Sequence, residues 1–227
     1  MSKFYECDKI AVESVLVTDS SLEISLEGLS IKEIRTKAFN IIKSIVDAIA
    51  KFITEARKKL SEIAEVISNK IGNLQVSLPK LTVDVYTSGK NEKKFLNALK
   101  DLRSVTVDFG FFINQILRDP NGDVISRLVI DTKEVYNALK EIRDAGTVKD
   151  ININIRKKLD SVKEELRDLE ELEKTLEKSK KMVDEIQDLS SKNCGELIQY
   201  YNLQGNIIRL YIEMLNHDLN AYSRLAK

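Results

Sequence analysis

Residues 31–71 read IKEIRTKAFNIIKSIVDAIAKFITEARKKLSEIAEVISNKI, and this stretch decides the fold class. Ile34, Ala38, Ile41, Ile45, Ile49, Phe52, Ala56, Leu60, Ile63, Ile67 and Ile71 recur at steps of four and three, an eleven-residue period. That period lies close to the natural turn of an α-helix, so the apolar stripe drifts little around it. The spacing predicts one nearly straight helix about 60 Å long. Ser30 and Glu33 form a capping box at its start, and Gly72-Asn73 stops it. In the first half Phe39, Ile42, Val46, Ala50 and Ile53 widen the stripe and leave Asn40, Lys43, Ser44, Asp47 and Lys51 as the polar face. A face that wide is buried against other helices or, over residues 31–53, seeks a membrane surface.

Working outward, residues 150–189 carry a coiled-coil-like seam. Ile155, Leu159, Val162, Leu166 and Leu169 alternate at four and three, and Leu172 arrives one residue early. Leu176, Ser179, Val183 and Ile186 resume the pattern. The remaining positions are a dense mix of Lys, Arg, Asp and Glu, expected as a solvated face laced with i,i+4 pairs. Ser190 to Asn193 break the helix, with Asn193 and Glu196 as a second cap, and a final helix runs over about 195–226. Before the seam, Asn91 opens a helix to about Arg118, which Val105-Thr106-Val107 and Gly110 are expected to kink or break. The turn at 119–123 leads into another helix that Gly146 ends. Short loops at 119–123 and 190–194 predict that the flanking helices are antiparallel neighbours. Residues 74–78 and 81–86 alternate at period two, the only β signal read here. Pro79-Lys80 is a poor hairpin turn, so an extended arm or two edge strands are equally compatible.

The expected fold is therefore all-α, an elongated bundle of long amphipathic helices with a coiled-coil-like hairpin and at most a minor β element at 74–86. Residues 1–29 read as a short helix (Lys3 to Val17) plus a leader or linker. The long helix spans 30–72, an extended or β-like arm 73–90, and a helical bundle 91–227.

Composition agrees and narrows function. Of 227 residues, 32% are charged and 6% aromatic, with no Trp and two Pro, a balance that favours long helices. The formal net charge is zero, so nucleic acid could be held only through local patches. No run of about 18 apolar residues exists, and Met1 to Asp8 lack a secretory apolar core. Cys7 and Cys194 have no metal-type spacing; they read as thiols in a reducing compartment, with a disulfide between them the alternative. The single histidine, His217, follows Glu213 by four residues, which is not the Glu-x-x-His spacing of a di-iron bundle. The eight glycines are scattered singly and cradle no phosphate. Tyr200, Tyr201, Tyr211 and Tyr222 read as a core or interface seam. No catalytic residue, metal ligand or cofactor site emerges, and the expectation is a protein that is not an enzyme.

One segment bears on function. Ser21-Leu22-Glu23 and Ser25-Leu26-Glu27 lie in the linker, and Ala11-Val12-Glu13 precedes them. Each is a small residue, any residue, then Glu. The arrangement resembles processing sites of giant tailed phages of the phiKZ type, whose prohead protease cuts after Ser-x-Glu or Ala-x-Glu. The helical leader, the Glu27-Gly28 junction and the amphipathic helix beyond it resemble internal head proteins of such phages. The resemblance covers the first sixty residues. It implies a structural virion protein made in the host cytoplasm, trimmed at Ser25-Leu26-Glu27-Gly28 and packaged inside the head among other virion proteins. Two other classes fit the residues: a cytoplasmic coiled-coil adaptor that binds a partner helix or itself, and a membrane-active protein using 31–53. The 155–186 seam supports the adaptor, the 74–86 segment would serve the membrane reading as a small apolar tongue, and Ile34, Ile41, Ile45, Ile49 and Phe52 are the expected interaction stripe.

Overall fold

The computed structural model describes residues 30–72, 82–119, 122–150, 154–183, 186 and 189–225. Its elements in chain order are α1 (Ile31–Gly72), β1 (Val83–Val85), α2 (Lys90–Arg118), α3 (Val124–Ala145), β2 (Val148–Asp150), α4 (Ile155–Val183) and α5 (Ser191–Leu225). The fold is all-α: long helices pack as a bundle, with one two-stranded sheet. The leader helix, Cys7, the junction Ser25-Leu26-Glu27-Gly28 and the 74–78 alternation lie outside the described residues.

α1 begins as its sequence dictates. The Ser30 amide donates to Glu33 Oε2 at 2.8 Å, and the Glu33 amide donates to Ser30 Oγ at 3.4 Å. These bonds satisfy two of the backbone donors that a helix start leaves over. The Ser30 bonds hold the Glu33 carboxyl below its ordinary range. The buried face keeps the eleven-residue period, displaced by one residue. Ile42, Ile53 and Ala64 are buried where Ile41, Phe52 and Ile63 are half-buried. The displacement arises because α1 packs against both α4 and α5. Its buried strip is then centred between two contacts.

The seam of α4 shows a larger departure. Ile155, Leu159, Val162, Leu169, Leu172, Leu176, Ser179 and Val183 are buried, and Glu165 takes the slot expected for Leu166, which is only half-buried. The early step therefore falls between Val162 and Glu165, not between Leu169 and Leu172. α4 lies against α1 on one side and α2 on the other. Its charged residues include i,i+4 pairs such as Lys174–Glu170, yet several reach across helices. Arg57 on α1 bridges Glu170 and Glu173, Arg103 on α2 bridges Asp168 and Glu171, and Lys180 pairs with Asp47 on α1.

α5 is the hub. It packs on α1, α3, β1 and, less extensively, α2, and it is buried on nearly every side, the signature of a central helix. Against the expectation from the short 190–194 connection, its backbone is not closely packed on that of α4, and long side chains connect the two. Tyr201 Oη donates to Ser179 Oγ at 3.0 Å, which accounts for a serine at a seam position. The short 119–123 connection does bring α2 and α3 together.

Two expectations are corrected. α2 runs as one continuous helix through residues 105–111, because the β-branched residues cost only tenths of a kcal/mol each and the glycine about 1 kcal/mol. Burial of Leu102, Ile113 and Ile116 on either side holds the helix together. The cap of α5 is Ser190, whose Oγ accepts the Asn193 amide, while Glu196 turns to Ser126 on α3. Among the described residues β1 pairs with β2, antiparallel, with Asp84 opposite Lys149. Its alternation is genuine: Val83 and Val85 face the core and Asp84 faces out.

Candidate functional site

The stripe Ile34, Ile41, Ile45, Ile49 and Phe52 is spent inside the molecule. Ile34, Ile45 and Ile49 are buried, and Ile41 and Phe52 are half-buried against the same core. The α4 seam belongs to that core too. Neither strip faces outward for a partner.

The polar chemistry gathers at one corner, where α2, α4, α5 and the turn after β1 meet around a narrow cleft. α5 contributes Asp218, which is 1% exposed. Its carboxylate accepts the backbone amides of Tyr86 (2.8 Å) and Thr87 (2.9 Å) and the Thr87 hydroxyl (2.5 Å). A buried carboxylate with three donors is a satisfied anchor, and it pins the end of β1 to the hub helix. His217 beside it has a side chain 44% exposed and lies edge-on to Tyr86 at 4.9 Å. α4 contributes Lys158, whose Nζ donates to Thr87 O (3.1 Å) and Glu92 Oε1 (2.5 Å), tying the turn to the start of α2.

Glu165 lies at the floor, 7% exposed. Its Oε1 accepts the Ser161 hydroxyl at 3.0 Å, but Oε2 is buried with no hydrogen-bond partner. The Tyr211 hydroxyl interacts with this carboxyl without forming a well-aligned hydrogen bond, and the Tyr211 ring stacks on Phe95 at 4.2 Å. Burial pushes the Glu165 carboxyl up to about 7, against the weaker pull of Tyr211, Ser161 and Lys158, and the Asp218 charge adds to the rise. Burial likewise raises the Tyr211 hydroxyl well above its ordinary range, and the Glu165 charge reinforces this. The free volume of the cleft is about 20 Å³, room for one water molecule and too little for an organic substrate.

Elsewhere, burial pushes the Cys194 thiol up to about 11, which keeps it protonated and a poor nucleophile. Among the described residues no cluster of three or more His, Cys, Asp or Glu is arranged to hold a metal, and no helix is long and apolar enough to cross a membrane. No family model, curated protein or solved structure matches the chain.

Reading residues singly missed this corner. Asp218 follows His217 on a helix whose interest lay in the tyrosines, and Glu165 sits beside a leucine that fitted the heptad better. The one signal available was the pairing of acidic residues with apolar spacing at Glu165 and Asp218, each of which occupies a helical position facing inward.

Proposed function

We propose that this chain is a non-catalytic structural protein of a phage virion, an internal head protein trimmed after Glu27. The observation that carries this reading is the position of the capping box relative to the candidate junction. Ser30 and Glu33 cap α1 with bonds made wholly downstream of Gly28, so cleavage after Glu27 leaves the helix start intact. The Ser25-Leu26-Glu27-Gly28 segment supplies the small-x-Glu pattern, and the mature chain would begin two residues before the cap.

Further support comes from where the apolar surface goes. An adaptor needs a free seam for a partner helix, and the seams of α1 and α4 are covered by the chain's own helices. A membrane-active helix over 31–53 would have to leave the core, exposing Ile42, Ile45, Val46, Ile49 and Ile53 in transit. Each such side chain contributes about 1.5–3 kcal/mol by its burial. A self-contained helical body suits a part that is packed among other virion proteins.

Mass spectrometry of the protein recovered from mature particles tests the reading. The expected species starts at Gly28, and Glu27→Ala leaves the chain untrimmed. A full-length species with intact Met1 in mature particles would sink it.

A further inference from the structure

We propose that Glu165 is a proton-operated latch: with its carboxyl protonated, α4 closes on α2, α5 and the turn after β1, and when it ionises, Lys158 leaves Thr87 and Glu92 to neutralise it and that corner opens.

The geometry supports each half of this statement. Glu165 occupies a seam position where every other member except Ser179 is apolar. Ser179 has its own partner in Tyr201, whereas Glu165 Oε2 has none. The neutral acid resolves this locally, since a proton on Oε2 can be donated to the Tyr211 hydroxyl oxygen by a small rotation. The carboxylate would need several donors, and the cleft admits about one water.

The groups around it decide what happens on ionisation. α2 presents Glu92, the turn presents Thr87, and α5 presents Tyr211, Asp218 and Tyr222. On α4 itself stand Lys158 and Ser161, with the charge of Asp168 acting on Tyr211. Among the groups that act on Glu165, Lys158 is the cation, and Asp218 opposes ionisation. Lys158 is also the side chain that fastens Thr87 and Glu92 to α4. Drawing its ammonium toward Glu165 therefore costs the two bonds that close the corner. Because burial raises the carboxyl to about 7, the exchange falls near neutral pH.

Hydrogen exchange on the full chain at pH 5.5 and 8.5, corrected for intrinsic base catalysis, reads the latch directly. Protection of amides 86–96 is expected to fall by up to about thirtyfold at the higher pH in the wild type, and to stay constant in Glu165→Gln. Equal protection of the wild type at both pH values, or an equal loss in Glu165→Gln, would overturn the proposal. A measurement free of any substitution is the NMR titration of the Glu165 side-chain carboxyl in the wild type. A midpoint near neutrality supports the latch, and one in the ordinary glutamate range, about 4.5, overturns it.

Discussion

Asp218 and Glu165 are both buried carboxyls, yet they have opposite consequences for stability. Asp218 has three donors, two of them backbone amides that would otherwise be stranded. Asp218→Ala is expected to cost about 2–4 kcal/mol, because two amides lose their acceptor in a buried site. Asp218→Asn keeps one acceptor oxygen and should lose less. Urea unfolding ranks the three proteins, and an alanine variant as stable as the wild type would show that water replaces the carboxylate. Glu165 works against the fold when charged. Its folded-state value, about 7, lies above the ordinary 4.5, so the native state holds the proton through that window. Stability accordingly falls as pH rises from about 4.5 to about 7, by on the order of 3 kcal/mol. Glu165→Gln should flatten that slope. A wild-type slope retained in the glutamine variant would assign the pH dependence elsewhere. At this scale the sequence was hardest to read. Leu166 is the better heptad residue by hydrophobicity, and only the demand of packing between α1 and α2 turns Glu165 inward instead.

Among the elements, α1 and α5 meet closely at Gly205. A Cβ placed there would lie 3.2 Å from Ile49 Cδ1 and 3.3 Å from Ile49 Cγ1. An interior glycine normally weakens a helix by about 1 kcal/mol relative to alanine, so its presence here reflects the approach of Ile49. Gly205→Val adds two further methyls at that crossing and is expected to destabilise by about 1–3 kcal/mol through overpacking. Adding Ile49→Ala should recover part of that loss, a coupling that a double-mutant cycle measures. A valine variant with unchanged denaturant midpoint would mean that α1 shifts freely. The cross-helix arginines act differently. Arg57 and Arg103 flank α4 from opposite sides, with side chains 26% and 38% exposed. Such pairs contribute at most about 1 kcal/mol each. Their value lies in register, since each guanidinium meets two carboxylates three residues apart.

For the whole molecule, one apolar cluster joins α1 to the 91–227 bundle, so the long helix is a member of the bundle and not a separate arm. The chain from Gly28 onward is expected to unfold in a single cooperative transition with the full chain's stability, because the α1 cap and the described core all lie at or beyond Ser30. Calorimetry of residues 28–227 beside the full chain checks this. A drop of several kcal/mol on removing the leader would assign it a packing role that trimming would destroy. Periodicity, composition and capping chemistry by themselves determined that the chain forms long helices, where α1 starts and that β1 alternates, because each depends on residues within one or two turns of each other. Tertiary structure alone decided that β1 would pair with β2, that α5 would be central, and that Glu165 would be interred beside Tyr211. Those outcomes depend on which faces compete for the same interior, and that competition is settled between segments far apart in the chain.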